Sequence, residues 1–283
     1  MAKETAILER ANELPVTRPM LPVKEILALA AKVGEQLTGL IVPLLVLVLW
    51  DTAIRLHWVK PVFLPPPATV LTTFYDLLVN GQFLLDLWVS IFTVVHGFLW
   101  GGVLGLLFGT AAGLSRLVER LFGPILNGIR QVPAIAWLPL IIMWVGIGDT
   151  GKLVVIAKSV FFPVFLNTLQ GIRNVSREYV EVARVYEFSR LQLLRRVVFP
   201  AALPTIFVGI RFGAGISWAM IVAAEMLSGR KGLGFLLLQA QDLLMTDQVF
   251  VVIVVIGLVG YLIDLLLKRV ERKLVRWKHG SAL

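Results

Sequence analysis

Residues 96–113 read HGFLWGGVLGLLFGTAAG, and within them Gly97, Gly101, Gly105, Gly109 and Gly113 recur at every fourth position. A four-residue period keeps close to one side of an α-helix, and the residues between the glycines are almost all apolar. In lipid such a ridge lets a second backbone come close, where van der Waals packing drives helix association. Plain packing explains the ridge, and a contact that slides during a conformational change would use the same face. The five glycines are therefore assigned to helix packing inside a membrane bundle.

The rest of the chain agrees with that setting. Of 283 residues 58% are hydrophobic and 16% are charged, and the mean hydropathy is +0.84. An average soluble domain is about 25% charged, so the class is a polytopic, all-α membrane protein. About 20 apolar residues are needed to cross a bilayer. Six segments qualify, at 37–56, 86–112, 124–147, 152–170, 204–227 and 248–267. Pro133 and Pro139 fall in the third and Pro163 in the fourth, so kinked helices around a cavity are predicted. Before the first span, VKEILALAAKVGEQL (23–37) has helical spacing suited to a surface-lying helix. The organisation is then a 1–36 segment carrying this interfacial helix, a 37–270 six-span domain and a 271–283 basic tail. After the first span, PVFLPPPATVLTTFYDLLVNGQ (61–82) combines a rigid proline stretch with a short helix, and SGRKGLGFLLLQAQDLL (228–244) a turn with another.

The net charge of +9 could suggest nucleic acid. Its placement points to the bilayer instead. With the N-terminus inside, the basic residues of 3–32, 116–120, 173–196 and 268–278 all fall on the cytoplasmic side, against Arg55, Lys60, Lys152, Arg230 and Lys231 outside. Both termini are expected in the cytoplasm of a bacterial inner-membrane protein. There are no cysteines, and the three histidines are scattered, so no metal is expected on this chain.

Ionisable residues inside spans are functional candidates by default. Arg211 and Glu225 in the fifth span, with Trp218 between them, are assigned to a translocation path. Arg211 reaching the cytoplasmic surface, or Glu225 capping a helix end, would be the simpler readings. Tyr75 with Asp76, and Gly146 to Asp149 (GIGD), resemble the paired motifs of intramembrane aspartyl proteases. Two spans separate them, and the Pro-Ala-Leu motif expected in such enzymes is absent from the sequence, so this alternative is weak.

Residues 179–204, YVEVARVYEFSRLQLLRRVVFPAALP, interrupt the apolar pattern with charge. Tyr179, Val182, Ala183 and Tyr186 follow helical spacing, with Arg177, Glu181, Arg184 and Glu187 on the other face and Ser176 as N-cap. Anionic lipid suits the arginines but repels the glutamates; a protein partner suits both. The segment resembles the cytoplasmic signature of ABC importer permeases of type I, the MetI-like fold. Glu181, Val182 and Ala183 stand for its Glu-Ala-Ala, Glu187 for its glycine, and Val197, Phe199 and Pro200 for its end. The stretches on either side resemble the branch that handles aliphatic sulfonates, taurine, nitrate and bicarbonate.

That resemblance implies a coupling helix, 177–190, seated on an ATPase subunit through Glu181, Ala183, Arg184, Glu187 and Pro200. Pro200 is expected to end the segment and Pro204 to start the next span. The implied partners are a second copy of the chain, two ABC ATPases holding ATP and Mg, an extracytoplasmic solute-binding protein and the lipid bilayer, with no nucleic acid. The implied activity is alternating-access import of a small anion, with an aliphatic sulfonate ahead of nitrate, bicarbonate or taurine. Hydrolysis belongs to the partner. Glu187 departs from the pattern, because glycine there allows a turn that glutamate makes only at steric cost.

Overall fold

The computed structural model describes residues 41–228 and 230–275. The interfacial helix expected at 23–37, the 1–36 segment and most of the 271–283 tail lie outside the described residues. Residues 41–55 form a helix, α1, held on its surface by an Arg55–Asp51 ion pair at 2.6 Å. It belongs to a compact unit of its own ending at Lys60, and the remainder forms a second unit.

The second unit is all helical among the described residues. Its elements are α2 (Pro67–Val79), α3 (Gln82–Leu114), α4 (Arg116–Gln131), a 3-10 turn (Ala134–Trp137), α5 (Leu138–Val145) and α6 (Asp149–Arg173). They are followed by α7 (Arg177–Val185), α8 (Arg190–Leu193), a π segment (Leu194–Val198), α9 (Phe199–Ser228), α10 (Leu233–Asp242) and α11 (Thr246–Leu274). Four helical runs are long and apolar enough to cross a membrane: α3, α6, the run Arg190–Leu227 and α11. The pair formed by α4 with α5 makes a fifth if counted as one span. The first of the six expected spans, 37–56, is described only over α1.

α3 and α6 form the closest pair. A Cβ on Gly97 would meet Ile156 Cγ2 at 2.6 Å, one on Gly105 the Phe161 carbonyl at 2.7 Å, and one on Gly109 the Phe165 carbonyl at 2.7 Å. Gly101 would meet the Ala157 carbonyl inside van der Waals contact, and Gly113 the side chain of Ile172. At Gly101, Gly105 and Gly109 the ridge thus lies directly on the α6 backbone and leaves no room for a methyl group, while at its ends it meets the side chains of Ile156 and Ile172. An Arg173–Glu119 ion pair joins the last turn of α6 to the first turn of α4. α9 packs along the other side of α6, where Ile172, Val198, Ala202 and Ile206 form an apolar cluster.

Three expectations are corrected. The third span, expected over 124–147, already starts at Arg116, and the interruption expected at Pro133 is a break whose halves meet at 91°. Pro133 is the cause: the residue before a proline is held out of the α region, and Val132 is extended at φ −81°, ψ 118°. By contrast, α6 runs unbroken through Pro163. The coupling region expected as one helix over 177–190 is two helices separated at 186–189. Finally, Pro200 does not end a segment and Pro204 does not begin a span. Pro200 and Pro204 both lie within a run that stays helical from Arg190 to Leu227, Pro200 just after the π segment Leu194–Val198.

Candidate functional site

α7 is short and two-faced. Ser176 caps its N-terminus, accepting from the Glu178 N–H at 3.3 Å. At its other end the Phe188 N–H donates to the Ala183 carbonyl at 3.0 Å and the Glu187 N–H to that of Arg184 at 2.9 Å. This pair of bonds is a Schellman cap, which requires a left-handed residue at the position of Glu187. Glu187 adopts φ 55°. The chain therefore makes the turn for which glycine is suited, with a glutamate in its place. Directly after it, Ser189 and Gln192 form a reciprocal capping box that starts α8.

The apolar residues of α7 divide sharply. Ala183 is 3% exposed, in a helix that packs against the π segment. Tyr179, Val182, Val185 and Tyr186 are exposed, Val185 to 82%. Glu181, Arg184 and Glu187 are exposed too, and none is in an ion pair among the described residues. Pro200 is half-buried beside Phe199, which packs on the Ile172 cluster. Arg196 lies 5.9 Å from the Phe188 ring centre, holding the π segment to the turn through a cation–π contact.

Arg211 and Trp218 both face α11. The Arg211 guanidinium donates to Asp264 Oδ1 at 2.9 Å and to Glu271 Oε2 at 3.1 Å, and Asp264 also takes Lys268 at 2.7 Å. The Trp218 indole N–H donates to the Ile256 carbonyl at 2.8 Å, with Gly260 leaving room for the ring. Glu225 is fully buried. Ser90 Oγ lies 2.8 and 2.9 Å from its two oxygens, and the Gly234 N–H donates to it at 2.9 Å. The last bond places a carboxylate at the N-terminus of α10, where the helix dipole favours it. Asp86 accepts from the Gly232 N–H at 2.8 Å, and Ser90 accepts from Leu233 at 2.9 Å. Lys152, 2% exposed, is paired with Asp149 at 2.7 Å. Asp86, Ser90 and Glu225 together lock the turn before α10 onto α3 and α9.

A separate pocket of about 350 Å³ opens at the broken span. It is lined by Arg130 and Pro133, by Lys158, Phe162 and Asn167 of α6, and by Phe212, Ile216 and Met220 of α9. Arg211, Trp218 and Glu225 do not line it. Sequence reasoning passed over Lys158, although it meets the criterion that singled out Arg211, an ionisable residue within a span. Asp86, the first residue of the expected 86–112 span, meets it too, whereas Ser90 carries no such signal because its partners lie on elements far along the chain.

An α7 segment between two spans, over a ridge-packed helix pair and a broken span, defines the class. This chain belongs to the family of binding-protein-dependent transport system inner membrane components, whose model matches residues 101–276. A Bacillus subtilis (strain 168) permease protein named for aliphatic sulfonates transport, SsuC, is 38% identical over 86% of this chain and 88% of its own length. The taurine transport system permease protein TauC of Escherichia coli (strain K12) is 36% identical over 83% of this chain and 87% of its own. A chain of the MetNI methionine ABC transporter, solved in inward-facing conformations, has the same fold at a TM-score of 0.60. It is 19% identical and the match covers 69% of this chain and 96% of that one. The chain is thus an ABC importer permease subunit of the inner membrane, crossing it several times, and not itself an enzyme. The family works with an ATPase that uses ATP and with a binding protein. A protease reading is not favoured.

Proposed function

We propose that this chain is the membrane subunit of an ATP-driven importer of aliphatic sulfonates, acting as a homodimer with two ATPases and an extracytoplasmic solute-binding protein. The observation that carries the reading is the α7 segment. It offers exposed apolar residues and mixed charge at the end of two spans, which is what a rigid partner groove needs from a coupling helix. Glu181 and Arg184 supply the charged contacts, Tyr179, Val182 and Tyr186 the apolar ones, and Ala183 seats the helix on the π segment. Glu187 turns the chain so that α8 can follow, and Pro200 opens α9.

In this arrangement both termini and α7 face the cytoplasm, and the turn before α10 faces outward toward the binding protein. ATP and Mg bound by the ATPases draw them together. The displacement enters at α7 and travels through the unbroken run Arg190–Leu227 to the polar lock at the far end, changing which side of the path is open. The sulfonate class rests on the similarity to SsuC and TauC over most of the chain.

The test is uptake by the complex of this chain with its ATPase and binding protein in liposomes. ATP-dependent accumulation of ethanesulfonate is the expected result, abolished by Glu181→Arg. Flux that proceeds without ATP, or transport of nitrate in preference to any sulfonate, would overturn the reading.

A further inference from the structure

The pocket at the broken span contains a cation that the fold does not neutralise. Lys158 lies nine residues from the start of α6 and fifteen from its end, about 14 Å and 22 Å along the helix at 1.5 Å per residue. It is therefore deep within the membrane, where an ionisable side chain is costly and marks an ion or substrate pathway by default. Several other cations on membrane-spanning runs are paired with carboxylates: Lys152 with Asp149, Arg173 with Glu119, Arg211 with Asp264 and Glu271, and Lys268 with Asp264. Lys158 has no carboxylate within 4.0 Å among the described residues. Its ammonium donates to the Val132 carbonyl at 3.2 Å and rests 5.4 Å from the Trp137 ring centre and 5.5 Å from that of Phe162. One of its three N–H bonds is used.

The pocket around it is amphipathic in a particular way. Arg130 and Lys158 put two cations in its lining, and Asn167, whose amide gives one N–H to the Pro163 carbonyl at 2.9 Å, keeps its second. Phe162, Phe212, Ile216 and Met220 make the rest apolar. Phe212, Ile216 and Met220 follow at i, i+4 and i+8 along α9, a single face, on the side away from Arg211 and Trp218. The volume, about 350 Å³, lies within the range of about 300 to 1,000 Å³ usual for small-molecule sites.

We propose that this pocket holds the alkanesulfonate in transit, the sulfonate oxygens on Lys158 and Arg130 and the alkyl chain against Phe212, Ile216 and Met220. The proposal rests on the sulfonate reading above and adds where in this chain the anion is recognised. Depth favours a small solute over a lipid phosphate, which stays at the headgroup level. The bond from Lys158 to Val132 has a second use: an anion drawing the ammonium away would release the carbonyl at the elbow of the broken span, linking occupancy to its angle.

The experiment uses the complete complex in liposomes of neutral phosphatidylcholine, with ethanesulfonate, butanesulfonate and octanesulfonate as probes. Lys158→Met should reduce uptake at least tenfold while the complex still assembles and hydrolyses ATP. Lys158→Arg should retain much of the uptake, and Phe212→Ala should shift the preference among the three chain lengths. A purely structural role for Lys158 would leave that preference unmoved. Because the chain has no cysteine, Ile216→Cys provides a second measurement that does not depend on removing the lysine. Its modification by sulfonatoethyl methanethiosulfonate during turnover should be slowed several-fold by octanesulfonate. Wild-type uptake in Lys158→Met, or no protection at Ile216→Cys, overturns the pocket while leaving the importer reading intact. Failure of the wild-type complex to take up any sulfonate overturns the substrate class instead, and the pocket's ligand with it.

Discussion

The two ends of α9 are built on opposite plans. At the α10 end, Asp86, Ser90 and Glu225 are buried, and each is matched by hydrogen bonds from within the chain. At the α7 end, Tyr179, Val182, Val185 and Tyr186 lie exposed beside charges that have no ion partner among the described residues. A satisfied buried cluster has little left to offer a partner and fixes geometry. An amphipathic helix left open is half of an interface. On the function proposed above, one helix joins a site finished within the chain to one that an ATPase completes, and passes displacement between them.

That contrast can be broken from either end. Glu225→Leu should have the largest effect, because it leaves Ser90 and the Gly234 N–H buried without their acceptor. A loss of about 2 to 4 kcal/mol is expected for two buried donors left without an acceptor, measured as a fall in Tm of the purified chain in detergent. An unchanged Tm would mean that the cluster is not a lock. Ala183→Leu comes next, at about 1 to 3 kcal/mol for overfilling a closed site, and should lift α7 from the π segment. Its expected signature is faster proteolysis near Arg184.

Glu181→Arg tests the open end. Stability should change by less than about 0.5 kcal/mol, as for other exposed sites, while uptake falls at least tenfold. A large drop in Tm with uptake retained would reverse the roles given to the two ends. The smallest effect is that of Glu187→Gly. Relieving the left-handed strain should raise stability by about 1 kcal/mol without loss of transport, read from thermal unfolding alongside an uptake assay.

Much of this architecture is legible in the sequence. The glycine ridge gives the face of α3 that must be closely covered, because its period and its setting in lipid admit few other solutions. The signature spacing locates the α7 segment, and Glu187 marks the residue that turns left-handed. The rest depended on distance along the chain. Arg211 can be singled out as an ionisable residue in a span, but its partners Asp264 and Glu271 lie 53 and 60 residues away, and no local pattern announces them. Pro133 and Pro139 announce an interruption in the third span but not its angle of 91°, and Pro163, which carries the same signal, is accommodated within an unbroken helix. At the break Val132 is extended and Lys158 of α6 donates to its carbonyl, a contact across elements that no local pattern shows. Lys158 itself went unnoticed because the cost of an intramembrane charge depends on whether a counterion is near, which is a property of the packed bundle.

The π segment has a consequence of its own. A π turn holds one residue more than the α path it replaces, so everything beyond Leu194–Val198 is clocked about 100° around the axis from where an uninterrupted helix would put it. That phase sets Phe212, Ile216 and Met220 toward the pocket and Arg211 and Trp218 toward α11. Deleting a single residue within 194–198 would leave the helix continuous and the composition of α9 untouched, yet would dial both faces away from their neighbours at once.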